Sequence, residues 1–547
     1  MRESTGVFRV IAGNAKLRRV AGAYALFIVD EYAVWIAMLV FAYQQGGASA
    51  AGLIVIAQTL PPSILAPVMA TVADRRSPTT LLVGGYLAQA VAMGATAVAL
   101  FSGVTAFAAY AAAVVASTAV ATTRPAQAAL LPGIAHTPEQ LAAMNVVTGW
   151  MESLGIVLAG ALTGVLLSAA GPGLVFAVCS ALGVVATLLV AFLHARPLAI
   201  DDAEGSQAGA FAQVVAGLRL LLEERSPRLL VIVLALTWVV LGALDILFVV
   251  LALAVLHQGQ ALTGYLNMAF GIGGVLAASV TALLVGRRLG APILAASVVL
   301  SAGIGFTAIS TGVVATAALL ALAGAGAAVL EVATRSLLQR TVPAQLLGRV
   351  FGVVEGVTMA GLAIGAAIVT VLNNLGGPTA AILGVAALLP LGLVFSGRKL
   401  LTLDAHATVP VVEMSLLRKL PHFAVLPGPA LEGLARSLER VELPADTVLI
   451  REGEPGHTFY AIADGRLDVT IAGEHVRTLE RGDGVGEIAL LHNVLRTATV
   501  TTLTDATLYA LDSSAFLAAV TGHLPTRLAV TGVADSRLAG DAELDAG

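Results

Sequence analysis

The sequence has few charged and few aromatic residues. Lys, Arg, Asp and Glu make up 12% of its 547 residues and Phe, Trp and Tyr 5%, whereas hydrophobic residues make up 58%. Soluble domains are on the order of 25% charged, so this composition excludes a chain that is soluble throughout. The single cysteine, Cys179, excludes an intramolecular disulfide, and its apolar surroundings in the sequence indicate a small packing residue.

The charged residues are distributed unevenly. The first 400 residues contain 19 basic and 14 acidic residues, a net charge of +5, and the last 147 contain 11 and 20, a net charge of −9. This division predicts an integral membrane domain followed by a soluble acidic domain. The N-terminal segment is polar and basic and lacks the apolar core of a secretory signal, so we expect the first span to direct membrane insertion.

Apolar segments of about 20 residues are long enough to cross a bilayer. Breaking the first 400 residues at Gly, Pro and charged clusters predicts twelve such spans: 20–43, 50–72, 79–101, 104–130, 142–169, 172–193, 229–255, 262–285, 290–310, 313–338, 348–371 and 377–396.

Basic residues occur on alternate sides of these spans. The six loops on the opposite side, including YQQGGAS and NNLGGP, contain no Lys or Arg. Because Lys and Arg concentrate in cytoplasmic loops, the pattern predicts that both termini and the 194–228 connector are cytoplasmic, in the inner (plasma) membrane. The basic residues that carry it are Arg2, Arg9, Lys16, Arg18, Arg19, Arg75, Arg76, Arg196, Arg219, Arg225, Arg228, Arg287, Arg288, Arg340, Arg398 and Lys399.

Rare residues recur between the two parts of the membrane region. Arg75-Arg76 matches Arg287-Arg288 at an offset of 212, and Thr123-Arg124 matches Thr334-Arg335 at an offset of 211. The alternative is chance similarity in an Ala/Gly/Val-rich background, which matches between charged residues disfavour. We therefore predict a cytoplasmic N-terminus (1–19), two six-helix halves (20–193 and 229–396) and the connector 194–228, a typical transporter layout.

The region 20–396 resembles the major facilitator superfamily. ATVADRRSP, with Asp74 and Arg75, is similar to the family's loop between its second and third spans, and Arg124-Pro-Ala-Gln127 to the Arg-x-x-Gln element of proton antiporters. RPAQAALLPGIA and LLQRTVPAQLLGRVFG resemble the drug, macrolide and siderophore exporters. The resemblance implies an all-α, twelve-helix fold, alternating access and a cytoplasmic gate at Asp74 and Arg75; a solvated loop that only sets topology is compatible with that gate.

Eight ionisable residues within the predicted spans are candidates for function, because charge in a bilayer is costly. Asp30, Glu31 and Asp245 lie near the middle of their spans, and Arg124 and Arg335 lie in the cytoplasmic halves of theirs. One interpretation is that one or more carboxylates exchange protons during transport, because binding of a cationic substrate favours release of the proton. Asp30 and Glu31 are the first candidates, followed by Asp245 and Glu152. The other is fixed ion pairing: Glu331 with Arg335 on one helix, Arg124 with Glu152, and Arg335 with Glu355. The 208–222 segment has apolar positions on one helical face and could lie on the membrane surface.

After a linker at 397–412, the soluble region changes its pattern. Residues 413–440 predict two short helices, and short alternating segments such as TVLIRE, FYAIA, RLDVTIA, HVRTLE, TATVTTL and ATLYALD predict strands separated by Gly-rich turns. Residues 513–537 return to a helical pattern. The expected fold is an α+β domain over 413–540 with a small β-barrel or jelly roll, followed by a tail at 541–547.

Within this region, GDGVGEIALLHNVLRTATV resembles the phosphate cassette of cyclic nucleotide-binding domains. Arg496 follows Glu487 by nine residues, as in that family. The resemblance implies that Gly486, Ile488, Ala489 and Ala498 form the cassette backbone, with Gly486 opening a short helix. It also implies that Arg496 binds the cyclic phosphate and Glu487 the ribose hydroxyl.

Two positions depart from or qualify the family pattern. Leu495 replaces the usual Pro, and Thr497 is associated with cyclic GMP without deciding between cyclic GMP and cyclic AMP. A C-terminal helix around Leu524–Ala539 would be the lid over the base, offering Leu528, Val530 and Val533. His492 has no second ligand at metal-binding spacing, so no metal is expected.

Together these features predict a proton-coupled exporter of a small amphipathic or cationic molecule, regulated by cytoplasmic cyclic AMP or cyclic GMP. The expected partners are the lipid bilayer, the substrate, protons and cyclic nucleotide, with no nucleic acid and no enzymatic activity; the oligomeric state stays open. The alternatives are a transporter whose C-terminal domain serves only folding or localisation, a membrane receptor that does not translocate its ligand, and, less favoured by the acidic cavity, an exporter of cyclic nucleotide.

Overall fold

In the computed structural model the chain divides into two compact units. The first contains most of residues 1–407, and the second contains residues 408–547 together with the short segments 137–142 and 285–287. Side chains are not described at several helix ends, among them 66–75 and 344–349. The structure describes residues 11, 13–75, 77–103, 105–134, 138–193, 219, 224–281, 284, 287–342, 344–406, 411–420, 423, 426, 428–492 and 494–521.

All regular secondary structure in the described part of the first unit is helical. A π-helical turn, Leu251–Val255, extends the helix Arg225–Val250, and a 3₁₀ turn, Phe306–Ala308, extends the helix Gly290–Gly305. The helices are α1 Ala15–Arg75, α2 Pro78–Ser102, α3 Ala106–Ile134, α4 Pro138–Ala170, α5 Pro172–Ala191, α6 Arg225–Val250, α7 Ala261–Thr281, α8 Gly290–Gly305, α9 Val313–Thr341 and α10 Ala344–His406.

Two of these helices bend sharply at glycines. The backbone of α1 leaves the helical conformation at Gly46 and Gly47, and that of α10 at Gly377. Gly47 and Gly377 have φ of 61° and 71°, a left-handed conformation that glycine adopts without the strain of a Cβ atom. Both bends lie in loops that the sequence predicted between consecutive spans.

Each of the twelve predicted apolar segments falls largely within a described helix, and many apolar helices of this kind fit a membrane domain. By length and composition, eight helical stretches of the described residues are suited to cross a bilayer, and two of them are the bent helices. Two further apolar helices, Ala106–Val120 and Ala261–Ala277, are shorter. The number of crossings and the division into two halves stay predictions.

Small residues let α4 and α7 approach closely. A Cβ atom on Gly160 would lie 2.8 Å from the carbonyl oxygen of Gly264, and one on Gly264 would lie 2.6 Å from that of Gly160. Close backbone approach through small residues is how membrane helices gain packing energy without a hydrophobic driving force.

The second unit combines short helices with two antiparallel sheets. Its elements are α11 Val411–Lys419, α12 Gly428–Arg436, β1 Glu439–Leu443, β2 Val448–Ile450, β3 Thr458–Asp464, β4 Leu467–Ile471, β5 Glu474–Leu479, β6 Gly484–Val485, α13 Glu487–His492, β7 Thr499–Thr502, β8 Ala506–Asp512 and α14 Ser513–Thr521.

The strands form one sheet in the order β1-β8-β3-β6 and another in the order β2-β7-β4-β5. This is the two-sheet β architecture that the alternating segments predicted. Phe423, Phe459 and Phe516 are fully buried and pack together, with ring centroids 5.0–5.9 Å apart, and join strand β3 to the helices.

Three boundaries differ from the sequence prediction. The helix predicted through Arg440 ends at Arg436, because Glu439–Leu443 pairs with β8 as β1. Gly484–Val485, expected to be part of a turn, forms β6 by pairing with β3. Helix α10 continues to His406, ten residues beyond the predicted end of the last span.

Several predicted features fall outside the described residues. These are most of the 194–228 connector with its 208–222 segment, Arg76, the lid region with Leu528, Val530 and Val533, and the tail 541–547.

Candidate functional site

Arg124 is the centre of a charged cluster formed by α1, α3 and α4. Its guanidinium contacts Glu31 at 2.7 Å and Glu152 at 3.2 Å. The Tyr24 hydroxyl donates a hydrogen bond to the same Glu152 oxygen at 2.6 Å, and the guanidinium carbon lies 5.7 Å from the centre of the Phe27 ring. The side chains of Arg124 and Glu31 are 41% and 26% exposed, so a solute can reach the cluster.

The pairing of Arg124 with Glu152 was predicted as one alternative, but the contributions of Glu31 and Tyr24 were missed. Tyr24, Phe27 and Glu31 are spaced at i, i+3 and i+7 and therefore lie on one face of α1. That spacing, read together with the Arg in the fourth predicted span, is the signal that could have identified the cluster.

A second cluster surrounds Arg335. Its Nε donates to Glu331, one turn earlier in α9, at 3.1 Å, and its Nη1 lies 3.7 Å from Glu355 of α10. Both contacts were predicted as possible ion pairs. Each of the two arginines, which match in the sequence, is thus shared by two glutamates. The first partner of Arg124 lies on α1, whereas the first partner of Arg335 lies on the same helix, α9.

Asp30 and Asp245 stand apart from these clusters. Asp30 is 2% exposed and lies beside Cys179, and its Oδ1 has no hydrogen-bond partner among the described residues. Asp245 of α6 accepts a hydrogen bond from the indole N–H of Trp35 in α1, with 3.1 Å between nitrogen and oxygen. Within the described residues neither carboxylate lies in an ion pair. The Trp35–Asp245 contact joins segments 210 residues apart and was not predicted.

Asp74 and Arg75 lie in the last turn of α1, and their side chains are not described. Their role as a gate stays a prediction.

In the second unit, the described residues form a cavity that is partly open to solvent. All seven residues predicted for the phosphate cassette line it: Gly486, Glu487, Ile488, Ala489, Arg496, Thr497 and Ala498. Strands β2, β4, β5 and β7 contribute Ile450, Val469, Arg477 and Val500. The cavity therefore combines an apolar sheet surface with a polar edge of both charges.

Arg496 is held in place at this polar edge. Its Nη1 donates to the carbonyl of Gly486 at 3.1 Å and its Nη2 to the carbonyl of Thr458 at 2.7 Å. Desolvation by burial lowers the pKa of the Arg496 guanidinium from its ordinary value; an arginine nevertheless keeps its charge in proteins. Two of its five N–H donors are used in these bonds, so three can bind an anion.

Glycines make room for this guanidinium. A Cβ atom on Gly486 would lie 2.5 Å from Nη1 of Arg496, and one on Gly456 would collide with the guanidinium. Gly486 also has φ of 98°, which other residues rarely adopt. Glu487 follows directly and is 1% exposed.

Comparison with known proteins identifies both parts of the chain. Residues 20–366 match the Major Facilitator Superfamily, and residues 440–523 match the Cyclic nucleotide-binding domain. The chain belongs to the Major Facilitator Superfamily and carries a cyclic nucleotide-binding domain C-terminal to its membrane domain. It is a multi-pass membrane protein of a family that consists typically of transporters, not enzymes.

Curated relatives match over short stretches. A cGMP-dependent protein kinase of Drosophila melanogaster is 38% identical over 76 residues, 14% of this chain and 7% of the kinase. A cAMP-dependent protein kinase regulatory subunit of Schizosaccharomyces pombe is 37% identical over 103 residues, 19% of this chain and 25% of the subunit. The chain thus spans a quarter or less of these relatives' length, and their activities are not transferred to it.

Among solved structures, the regulatory domain of Toxoplasma gondii PKA with cAMP is similar at 33% identity, with a TM-score of 0.20. That match covers 20% of this chain and 44% of the other. In the part of the chain that the structure describes, no group of three or more His, Cys, Asp or Glu side chains is arranged to hold a metal.

Proposed function

We propose that this protein is a proton-coupled exporter of a small amphipathic or cationic molecule, and that cyclic nucleotide bound to its C-terminal domain regulates it. It would lie in the inner (plasma) membrane with both termini in the cytoplasm. The observation that carries the transport part of the proposal is the charge balance of the candidate site, where each of two arginines is shared by two glutamates.

The candidate site contains more carboxylates than cations. Six carboxylates, those of the two clusters and of Asp30 and Asp245, stand against two guanidinium groups. Ionised groups in a membrane are costly unless they are compensated. Protons or a cationic substrate can each supply the missing positive charge. Competition between them for the carboxylates couples export of the substrate to entry of protons.

Glu31 is the best placed group for this exchange in the Arg124 cluster. Its contact with Arg124 is the shorter of the two, and it remains partly exposed. A cation approaching Glu31 competes with Arg124 for the same oxygen, whereas Asp30 is enclosed beside Cys179. The ring of Phe27 adds an aromatic surface next to the charges, which suits an amphipathic cation.

Transport is tested in proteoliposomes with an imposed pH gradient, using the lipophilic cation tetraphenylphosphonium as probe. We expect uptake against its gradient that a protonophore abolishes, and loss of this coupled uptake in Glu31→Gln. Glu224→Gln, which changes an exposed carboxylate before α6, is the control and should transport normally. If neither tetraphenylphosphonium nor a panel of other amphipathic cations moved with the gradient, the transport proposal would be wrong and a receptor role would be favoured.

The cavity fits a cyclic nucleotide as ligand. The nucleotide carries one negative phosphate, to which the three remaining donors of Arg496 can bind, and a ribose hydroxyl, for which Glu487 is an acceptor at the same edge. Gly456 and Gly486 leave the space that the Arg496 guanidinium occupies beside this cavity.

Nucleotide binding is tested by calorimetric titration of the full chain in lipid nanodiscs with cyclic AMP and cyclic GMP. Arg496→Ala should weaken binding about 10- to 100-fold, because hydrogen bonds to charged groups contribute about 1.5–3 kcal/mol each. Arg451→Ala, which removes an exposed arginine of the same domain, should leave affinity unchanged. Binding that survives Arg496→Ala would refute this site, and transport indifferent to saturating nucleotide would favour a folding or localisation role.

A further inference from the structure

Trp35 and Asp245 form a contact between α1 and α6 that involves neither of the two arginines. The indole Nε1 of Trp35 donates to Oδ2 of Asp245 at 3.1 Å. Both side chains are half-buried, and within the described residues Asp245 has no cationic partner. Because an ionised carboxylate in a membrane is costly without a compensating cation, a positive charge is missing beside Trp35.

This contact lies next to Glu31 along α1. Glu31 and Trp35 are four residues apart, so they lie on one face of the helix, with about 5–6 Å between their Cβ atoms. The Tyr32 side chain interacts electrostatically with Asp245 as well as with the Arg124 cluster. Asp245 and the Arg124 cluster therefore border one region of the helical unit.

Two separate negative charges are left uncompensated in this region. Two glutamates share one guanidinium in the Arg124 cluster, and Asp245 has an indole N–H as its partner but no cation. A monocation can compensate one of these charges and leaves the other for a proton. A dication whose charges are about one to two helical turns apart can compensate both.

Aromatic side chains on α1 favour an organic cation at Asp245. Trp35 binds the carboxylate through its N–H, and Tyr32 lies in the same region, so a cation that contacts Asp245 also lies near these rings. Phe27 provides a ring beside Arg124. Aromatic rings attract organic cations, whereas a hard metal ion requires several oxygen ligands. Each of the two places thus combines a carboxylate with an aromatic surface, which suits an aromatic or amphipathic dication.

We propose that Asp245, with Trp35 and Tyr32, forms a second cation subsite, so that the protein binds dications in preference to monocations of the same shape. The proposal rests on the cation-binding part of the proposed function and specifies its substrate class. It differs from a role of Asp245 as a proton carrier alone, because a protonated Asp245 would give no preference for a second positive charge.

Equilibrium binding to the full chain in lipid nanodiscs, at one pH and one salt concentration, compares two probes of nearly identical shape. Methyl viologen carries two positive charges, and 1-methyl-4-phenylpyridinium carries one. We expect methyl viologen to bind about tenfold or more tightly, because it gains a second charge-assisted contact. Asp245→Asn should weaken methyl viologen about tenfold more than it weakens 1-methyl-4-phenylpyridinium, and this ratio is insensitive to a general loss of folded protein.

Two further variants test the cause of the preference. Asp245→Glu keeps the negative charge and should keep most of the preference for methyl viologen. Glu224→Gln removes an exposed carboxylate before α6 and should leave both affinities unchanged.

The outcomes distinguish this inference from the proposed function. If neither probe binds, the cation site of the proposed function is refuted together with the subsite. If both probes bind with equal affinity, if the monocation is preferred, or if Asp245→Asn weakens both to the same extent, the cation site stands and the second subsite at Asp245 is wrong.

Discussion

At the scale of single residues, charge balance around Arg124 makes a prediction about stability. Arg124→Gln leaves Glu31 and Glu152 facing each other without a cation. Because these side chains are partly exposed, the cost should be below the value of about 3–5 kcal/mol for removing one partner of a buried ion pair. We expect Arg124→Gln to lower the unfolding temperature of the protein in detergent. The double variant Arg124→Gln/Glu31→Gln should recover part of the lost unfolding temperature, because it also removes the Glu31 carboxylate that the single variant leaves without its cation. A double variant no more stable than the single one would contradict a shared ion pair.

Gly486 and Gly473 permit a matched comparison at the nucleotide cavity. Both have positive φ, of 98° and 86°, so alanine at either position strains the backbone by about 1–3 kcal/mol. Only at Gly486 would the new Cβ atom also meet the Arg496 guanidinium, since nothing lies within 4 Å at Gly473. Gly486→Ala should weaken nucleotide affinity at least about tenfold by displacing Arg496. Gly473→Ala should change stability alone, and equal loss of affinity in both would disprove the steric account.

Site residues that lie close together in the sequence could be predicted from it. Site residues that come together only through tertiary contacts were mostly missed. The spacing of Glu487 and Arg496 identified residues that line one cavity, because a short chain segment forms that edge. Arg477 was missed because it reaches the cavity through strand pairing with Val469. Glu31 was chosen as a proton carrier, but its contact with Arg124, 93 residues away, was missed because it depends on the packing of α1 against α3.

At the scale of elements, the predicted helices and most strands follow from apolar runs and alternation. The exceptions have tertiary causes: β6 is two residues long and exists because β3 pairs with it, and β1 is recognisable only through β8. Loops inside bent helices were predicted from Gly46, Gly47 and Gly377, which also produce the bends. The glycine positions thus predicted the boundaries between spans correctly, although the helix bends at these boundaries and does not end there.

The close contact of α4 and α7 is testable with one methyl group. A Cβ atom on Gly264 would lie 2.6 Å from the carbonyl oxygen of Gly160, so Gly264→Ala must separate the two helices. Overpacking of this kind costs about 1–3 kcal/mol, and we expect a lower unfolding temperature in detergent. Gly259→Ala, before α7, adds the same methyl group where nothing lies within 4 Å, and should have little effect. Equal unfolding temperatures of the two variants would show that α4 and α7 accommodate the methyl group without a loss of stability.

At the scale of the whole molecule, segments from distant parts of the helical unit are tied at the ends that the sequence predicts to be non-cytoplasmic. Asn374 donates to Ser49 at 2.8 Å, Gln44 and Gln260 hydrogen-bond at the same distance, and Gln260 also donates to the carbonyl of Leu167. A transporter that alternates its access must break these contacts in another state. A cross-link between the contacting positions can therefore hold the protein in one conformation, and this experiment does not require that the substrate is known.

Regulation by nucleotide requires that the two conformations differ in nucleotide affinity, and the coupling is reciprocal. Ser49→Cys with Asn374→Cys, in a Cys179→Ser background, can be joined by a short bifunctional thiol reagent. Coupling energies of about 1–3 kcal/mol would change nucleotide affinity about 5- to 150-fold between cross-linked and free protein in nanodiscs. Treating the single Ser49→Cys variant with the same reagent controls for modification alone. Identical affinities would mean that the nucleotide domain does not sense the state of the helices, and that the fusion serves folding or localisation instead.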